Sequence, residues 1–178
     1  MEKIFKPTIA AMSAEGRPFK GCLYFGLMLT KDGGKVVEYN SRFGDPEAQV
    51  VLPLLETDLA DIMEAIREER LGDLEIKWSD KACACVVMAS GGYPEKYETG
   101  KEISGLDENG QSDLAYVYHA GTKLDGGKYL TAGGRVLGVT AAADDLKSAL
   151  DAAYKAVESI SFEKAHYRKD IGHRALAK

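Results

Sequence analysis

Residues 21–40 constrain the fold more than any other stretch. Gly21 to Leu29 is a run of β-forming and apolar residues, Lys31-Asp32-Gly33-Gly34 is a turn, and Lys35 to Asn40 is a second β-forming run. Two such runs around a glycine-containing turn read as an antiparallel hairpin. Its first strand is expected to be buried, from its apolar richness. The second strand ends in Glu38-Tyr39-Asn40. Residues i and i+2 of a strand point to the same face, so a carboxylate and a carboxamide oxygen stand side by side. That pair suits a hard divalent cation such as Mg2+, which takes one or two protein oxygens and leaves the rest of its shell to water and substrate phosphates. Taken alone, a Glu-x-Asn pair also suits an ordinary solvated strand edge.

Arg42 follows, a fork-shaped partner for phosphate or carboxylate. Behind it comes Gly44-Asp45-Pro46-Glu47, a turn with two acids and a helix start. Around this hairpin the apolar spacing predicts helices. One covers residues 1–14, with Pro7 near its first turn, where a missing N–H is tolerated. A second opens at Pro46 and carries Gln49, Leu52 and Glu56 at helical spacing. A third runs from Asp58 to Glu69, with Leu59, Ile62, Met63 and Ile66 on one face.

The polar stretch 71–80 marks a change of composition. Beyond it, short β-type segments alternate with glycine turns at 82–89, 115–120, 128–131 and 134–140. Asp144 to Ser159 closes the pattern as an amphipathic helix, with Leu146, Leu150, Ala153 and Val157 spaced by three and four and Asp144 or Asp145 as its N-cap. The expected fold class is α+β, a hairpin with helices followed by a small β-rich domain with a packed helix. The expected division falls at 1–72 and 73–178.

Charge and cysteine content exclude several functions. The 178-residue chain carries a net charge of −5 with no basic block, which argues against nucleic acid or an anionic membrane as partner. No apolar run approaches the roughly 20 residues of a membrane span, and Met-Glu-Lys-Ile-Phe-Lys-Pro has no signal-peptide core. A cytoplasmic location is the expectation. Cys83-x-Cys85 is too closely spaced for the usual zinc pair and lacks a second one. Both thiols are expected to pack as small apolar groups on one strand face. His119, His166 and His173 are too dispersed to form a metal cluster.

The string Glu38-Tyr-Asn-Ser-Arg-Phe-Gly-Asp-Pro-Glu-Ala-Gln49 resembles the signature of the glycinamide ribonucleotide synthetase (phosphoribosylamine–glycine ligase) family, ATP-grasp enzymes of purine biosynthesis. Colinear matches continue in Val86-Val-Met-Ala-Ser-Gly-Gly-Tyr-Pro94, His119-Ala-Gly-Thr-Lys123, Gly133-Gly-Arg-Val-Leu137 and Tyr167-Arg-Lys-Asp-Ile-Gly172. Ser41 departs from the Cys or Val expected there. The resemblance implies that 1–72 is the C-terminal part of an ATP-grasp domain and 73–178 the family's C-terminal domain. It implies ATP as co-substrate, glycine and 5-phosphoribosylamine as substrates, and Glu38 and Asn40 as ligands of Mg2+ (or Mn2+).

Arg42 would then act on the transferring phosphoryl group or acyl phosphate. Asp45 would face the incoming amine, unless it is only a turn residue, and Gly44, Lys123 and Arg168 would lie toward substrate. Lys123 also reads as a surface lysine, and Arg168 as part of a salt-bridge cluster. The family's glycine-rich ATP loop and lysines have no counterpart before Cys22, so the chain is expected to be a C-terminal portion, inactive without the N-terminal portion of the ligase. A non-catalytic binding or assembly module is the alternative. Other ATP-grasp carboxylases differ after the metal strand, and a biotin-carrier-like domain would need a Met-Lys-Met type lysine.

Overall fold

The turn residues close the hairpin as the sequence requires. In the computed structural model, which describes residues 1–177, strand β1 (Tyr24–Thr30) pairs antiparallel with β2 (Gly33–Asn40). The Thr30 hydroxyl donates to the Gly33 carbonyl at 2.8 Å and accepts from the Asp32 N–H at 3.2 Å, which ties the loop. Helix α1 (Phe5–Ala14) precedes it, with Pro7 in its first turn. Its Phe5 ring meets Phe25 of β1 at 4.3 Å, and Phe25 meets Tyr39 of β2 at 5.2 Å.

The first strand differs from the expected buried element. It starts at Tyr24 rather than Gly21, and Leu27, Met28 and Leu29 are 38%, 58% and 84% exposed. The sheet has two strands, so most of its apolar side chains have no layer to pack on. Another difference follows Pro46. The expected helix is a single turn, α2 (Ala48–Val51), continued by a 3-10 turn over Leu52–Leu54. Pro53 supplies no N–H and fixes its own φ, so the α-helical ladder stops there. Helix α3 (Leu59–Arg67) is capped by Asp58, whose carboxylate accepts from the Ala60 N–H at 2.7 Å.

The chain divides into two compact units. One comprises Met1–Asp45 and Leu55–Trp78; the other comprises Pro46–Leu54 and Ser79 onward. The division thus differs from a single cut at 72/73, because α2 and the 3-10 turn pack on strands of the second unit.

The second unit is built on a three-stranded antiparallel sheet in the order β3 (Ala82–Ala89), β7 (Arg135–Ala143), β4 (Tyr116–His119). A separate hairpin joins β5 (Thr122–Asp125) to β6 (Lys128–Thr131). Helix α4 (Leu146–Ser159) lies across β3 and β7. Its Ala153, Ala156 and Val157 enclose a core with Val86, Met88, Val117, Leu137 and Val139, all buried. The alternation along β3 puts Val86 and Met88 into that core and Cys83 and Cys85 on the other face. A short helix, α5 (His173–Leu176), follows. The architecture is α+β, a hairpin with helices and then a β-rich part with a packed helix. Among the described residues no helix is long and apolar enough to cross a membrane.

Asp145 is the α4 N-cap. Its carboxylate accepts from the Ser148 N–H and the Ser148 hydroxyl, both at 2.8 Å, and these bonds hold the Asp145 carboxyl below its ordinary value of 3.8. A carboxyl depressed on folding adds stability above its unfolded value and loses it as pH falls through the folded one. Asp145→Ala should therefore lower Tm at neutral pH, and the gap to the parent should close as pH drops below 3.8. Thermal melts at pH 7 and pH 2.5 check this; a gap unchanged by pH would rule out the capping carboxylate as its source.

Candidate functional site

The register of the hairpin determines what Glu38 can do. Tyr24 pairs with Asn40, Phe25 with Tyr39 and Gly26 with Glu38; the next pair is Leu27 with Val36. Val37 is thus an extra residue opposite the β1 ladder, a β-bulge. Directly opposed residues share a face. Tyr24, Gly26, Glu38 and Asn40 therefore share one face, and Phe25 and Tyr39 share the other. Without the bulge, Val36 would fall on the face of Glu38; with it, Val36 sides with Leu27.

Helix α1 covers the aromatic face, where the Thr8 hydroxyl lies 3.5 Å from the Tyr39 hydroxyl. A cleft of about 670 Å3 opens there, lined by Pro7, Ala11, Met12, Phe19 and Leu23. Thr8, Glu15, Tyr39 and Ser41 complete its otherwise apolar wall, and it lies on the opposite face from Glu38 and Asn40, so it does not belong to the oxygen pair. Glu38 is exposed and Asn40 half-buried. Gly26 stands directly across from Glu38, and a Cβ added there would come within 2.9 Å of Glu38 Cγ.

Beyond the strand, Arg42 is exposed and its Nη1 donates to the Phe43 carbonyl at 2.8 Å. Gly44 is buried and Asp45 exposed. Glu38, Asn40, Arg42, Gly44 and Asp45 all fall in the first unit, along one segment. Lys123 and Arg168 fall in the second, and each stands beside an aspartate. Lys123 Nζ lies 3.0 Å from Asp125. Arg168 donates through Nε and Nη2 to the two oxygens of Asp170 at 2.8 and 2.6 Å, which pulls the Asp170 carboxyl down. Both pairs are exposed, where ion pairs contribute little to stability.

The glycine strings of the second unit are close-packed. Ser90 donates its N–H to the Gly134 carbonyl and its hydroxyl to the Gly133 carbonyl, each at 2.8 Å. Gly121 backs onto Gly133, and a Cβ there would stand 2.5 Å from the Arg135 carbonyl oxygen. Its N–H donates to Val136 at 3.0 Å. The Ser90 and Gly121 N–H groups are thus already bonded to backbone carbonyls.

His119 closes the same region. Its Nε2 donates to the buried Gly110 carbonyl at 2.8 Å, and its Nδ1 lies 2.9 Å from the Thr122 hydroxyl. A carbonyl only accepts, so Nε2 carries the proton. Burial pushes the Cys83 and Cys22 thiols up, away from the thiolate form that metals and nucleophilic chemistry use. Among the described residues, no group of three or more His, Cys, Asp or Glu side chains could hold a metal ion. Gly26 and the bulge at Val37 are the site features beyond the sequence reading. A glycine inside an apolar strand was the available signal, since it marks a bulge or a close approach.

Residues 83–174 match the family described as phosphoribosylglycinamide synthetase, C domain, and residues 1–48 match its ATP-grasp (A) domain. A phosphoribosylamine–glycine ligase of Caldanaerobacter subterraneus is 53% identical over 96% of this chain and 40% of its own length. The trifunctional purine biosynthetic protein adenosine-3 of Gallus gallus is 51% identical over 99% of this chain and 18% of its own length. The crystal structure of the Thermotoga maritima phosphoribosylamine–glycine ligase superposes with a TM-score of 0.80 at 32% identity, covering 95% of this chain and 41% of that one. The match over residues 1–48 places the hairpin segment in the ATP-grasp class. It belongs to the phosphoribosylglycinamide synthetase family. It spans about two-fifths of the length of the ligases it matches.

The His119 bridge generates a stability prediction. His119→Ala leaves the buried Gly110 carbonyl without its donor and should lower the unfolding free energy by about 1–3 kcal/mol. Thr122→Val removes one net hydrogen bond and should cost about 0.5–1.5 kcal/mol. Urea unfolding of both variants checks the order; a larger loss at Thr122 would reverse the assignment of the dominant bond.

Proposed function

We propose that this chain carries the metal-holding strand and the C-terminal domain of a phosphoribosylamine–glycine ligase. The observation behind this reading is the placement of Glu38 and Asn40 on one face of β2, with Arg42 two residues further on. Residues 1–72 are assigned to the ATP-grasp domain and 73–178 to the C-terminal domain. The N-terminal portion of the same ligase, holding the rest of the nucleotide site, is the proposed partner, and the cytoplasm the proposed location.

The donor set suits Mg2+ or Mn2+. One carboxylate and one carboxamide oxygen leave most of the shell to water and phosphate oxygens, as a hard cation on a nucleotide requires. When bound, the ion neutralises charge on the transferring phosphoryl group. In the proposed reaction the γ-phosphoryl of ATP passes to a glycine carboxylate oxygen, giving ADP and glycyl phosphate. The amine nitrogen of 5-phosphoribosylamine then attacks the acyl carbon; a C–N bond forms, the acyl C–O bond breaks as phosphate leaves, and the nitrogen gives up a proton. Arg42 is assigned to the phosphoryl oxygens, where its fork makes two parallel hydrogen bonds that a lysine cannot. It carries only the Phe43 carbonyl bond among those described above, and turning its fork outward gives up little. Asp45 is assigned to the incoming amine. Gly44, Lys123 and Arg168 are assigned to the substrate side, and the last two would exchange an aspartate for substrate phosphate.

The test combines this chain with a separately produced N-terminal portion of the ligase, Mg2+, ATP, glycine and fresh 5-phosphoribosylamine, and follows ADP release. Turnover should require both proteins and all three substrates. Arg42→Lys should lower kcat about 100-fold, and Glu38→Ala should abolish turnover. Failure of the combined proteins would favour a non-catalytic binding or assembly module, and undiminished turnover in Glu38→Ala would remove the metal assignment.

A further inference from the structure

We propose that Gly26 is a positioning residue for Glu38, a role that rests on the reading of Glu38 as a metal ligand. Two common reasons for a glycine inside a strand do not apply here. Gly26 is not among the glycines with positive φ, so its backbone conformation is open to any residue. Nor is a distant part of the chain the nearest neighbour among the described residues. The three nearest atoms to a Cβ built at Gly26 all belong to Glu38: Cγ at 2.9 Å, the carbonyl oxygen at 3.6 Å and the amide nitrogen at 3.7 Å.

The last two are ordinary contact distances between paired strands. The first is closer than real Cβ atoms come. The space that glycine leaves at position 26 is therefore taken up by the Glu38 side chain, which leans across β1 instead of standing off the sheet. Directly opposed side chains normally keep their Cβ atoms about 5 Å apart, and the lean uses that gap. An alanine at 26 would leave the backbone as it is but require Glu38 Cγ to move away, by a turn about χ1. Because Cγ lies near the root of the side chain, that rotation swings the whole carboxylate off the position it holds relative to Asn40.

The bulge supports the same reading. Val37 is the extra residue immediately before Glu38, and bulges re-aim the side chain beside them. Bulge and glycine act on one residue from its two sides: the first sets the backbone direction at Glu38, the second sets the rotamer. A glycine in a strand weakens it through chain entropy and lost packing. Its presence opposite the carboxylate therefore exchanges some stability for a fixed carboxylate position.

The test uses the chain and Mn2+ as probe, with binding read from paramagnetic broadening of the amide NMR signals of residues 24–26 and 38–40. The parent should show saturable broadening there, and Glu38→Ala should weaken it strongly while leaving a measurable residue through Asn40. Gly26→Ala should raise the Mn2+ dissociation constant about tenfold, with Tm equal to or above that of the parent. In the Glu38→Ala background there is no Cγ to displace, so Gly26→Ala should leave the residual binding within about twofold and raise Tm. Parent-like Mn2+ affinity in Gly26→Ala, with Glu38→Ala impaired, would overturn the positioning role and leave the metal assignment standing. A lower Tm for Gly26→Ala in both backgrounds would assign the glycine to the fold instead. Parent-like broadening in Glu38→Ala, or none in the parent, would overturn the metal assignment and this proposal with it.

Discussion

The pairing of β1 with β2, with Val37 left out of the ladder, is the constraint on which the candidate site depends. A regular ladder would give every second residue of β2 to each face, so Val36 would join Glu38 and Asn40. The skipped residue reverses the phase. Val36 then falls with Leu27, Phe25 and Tyr39, away from Glu38 and Asn40. Helix α1 takes the aromatic face through Phe5 and Thr8. A two-stranded ribbon is marginal by itself, and this contact gives it a third element. The same contact leaves Glu38 and Asn40 on the face opposite the helix.

The second unit depends on β7 in a comparable way. Both β3 and β4 pair with it, and α4 packs on it. The loops around this sheet are held by close backbone approach together with side chains: Gly121 against Gly133, Gly134 beneath the Tyr93 ring, and the Ser90 hydroxyl on the Gly133 carbonyl. Those glycines carry the colinear strings that tie the chain to its family, and packing accounts for them. Lys123 and Arg168, the cations of the same strings, are each neutralised locally. An anionic substrate there would have to compete with Asp125 and Asp170, whereas Arg42, among the described residues, donates to the neutral Phe43 carbonyl.

Local chemistry decided which parts of the fold were legible in the sequence. β3 and β6 lie where the β-type runs placed them, because turn residues bound both runs tightly. α4 was readable from its spacing and its Asp145 cap. The break at Pro53 was legible in principle, but apolar spacing continued through it and outweighed the breaker. β5 was hidden because three of the four residues in Thr122-Lys-Leu-Asp125 are polar; its partner β6, not its own pattern, makes it a strand. The exposure of β1 could not be read either, since a run of apolar residues reports what a strand would bury and not whether another layer exists.

The site itself was legible as a pair and illegible as a geometry. Glu38 and Asn40 share a face in any extended strand, so period two suffices to find them. Which residue stands opposite Glu38 depends on register, and a bulge changes register without leaving a composition signal. Gly26 was visible only as an unexplained glycine in an apolar run. On the proposed reading this matters for how the pair would hold its ion. A single carboxylate with one carboxamide contributes one negative charge, so the pair by itself holds a strongly hydrated cation weakly, and nucleotide phosphates supply the rest of the affinity. With so few protein ligands, there is no cage to correct a misplaced oxygen. The rotamer of Glu38 then carries a larger share of the geometry than it would in a site with many ligands, and the residue that sets the rotamer becomes part of the metal site without touching the metal.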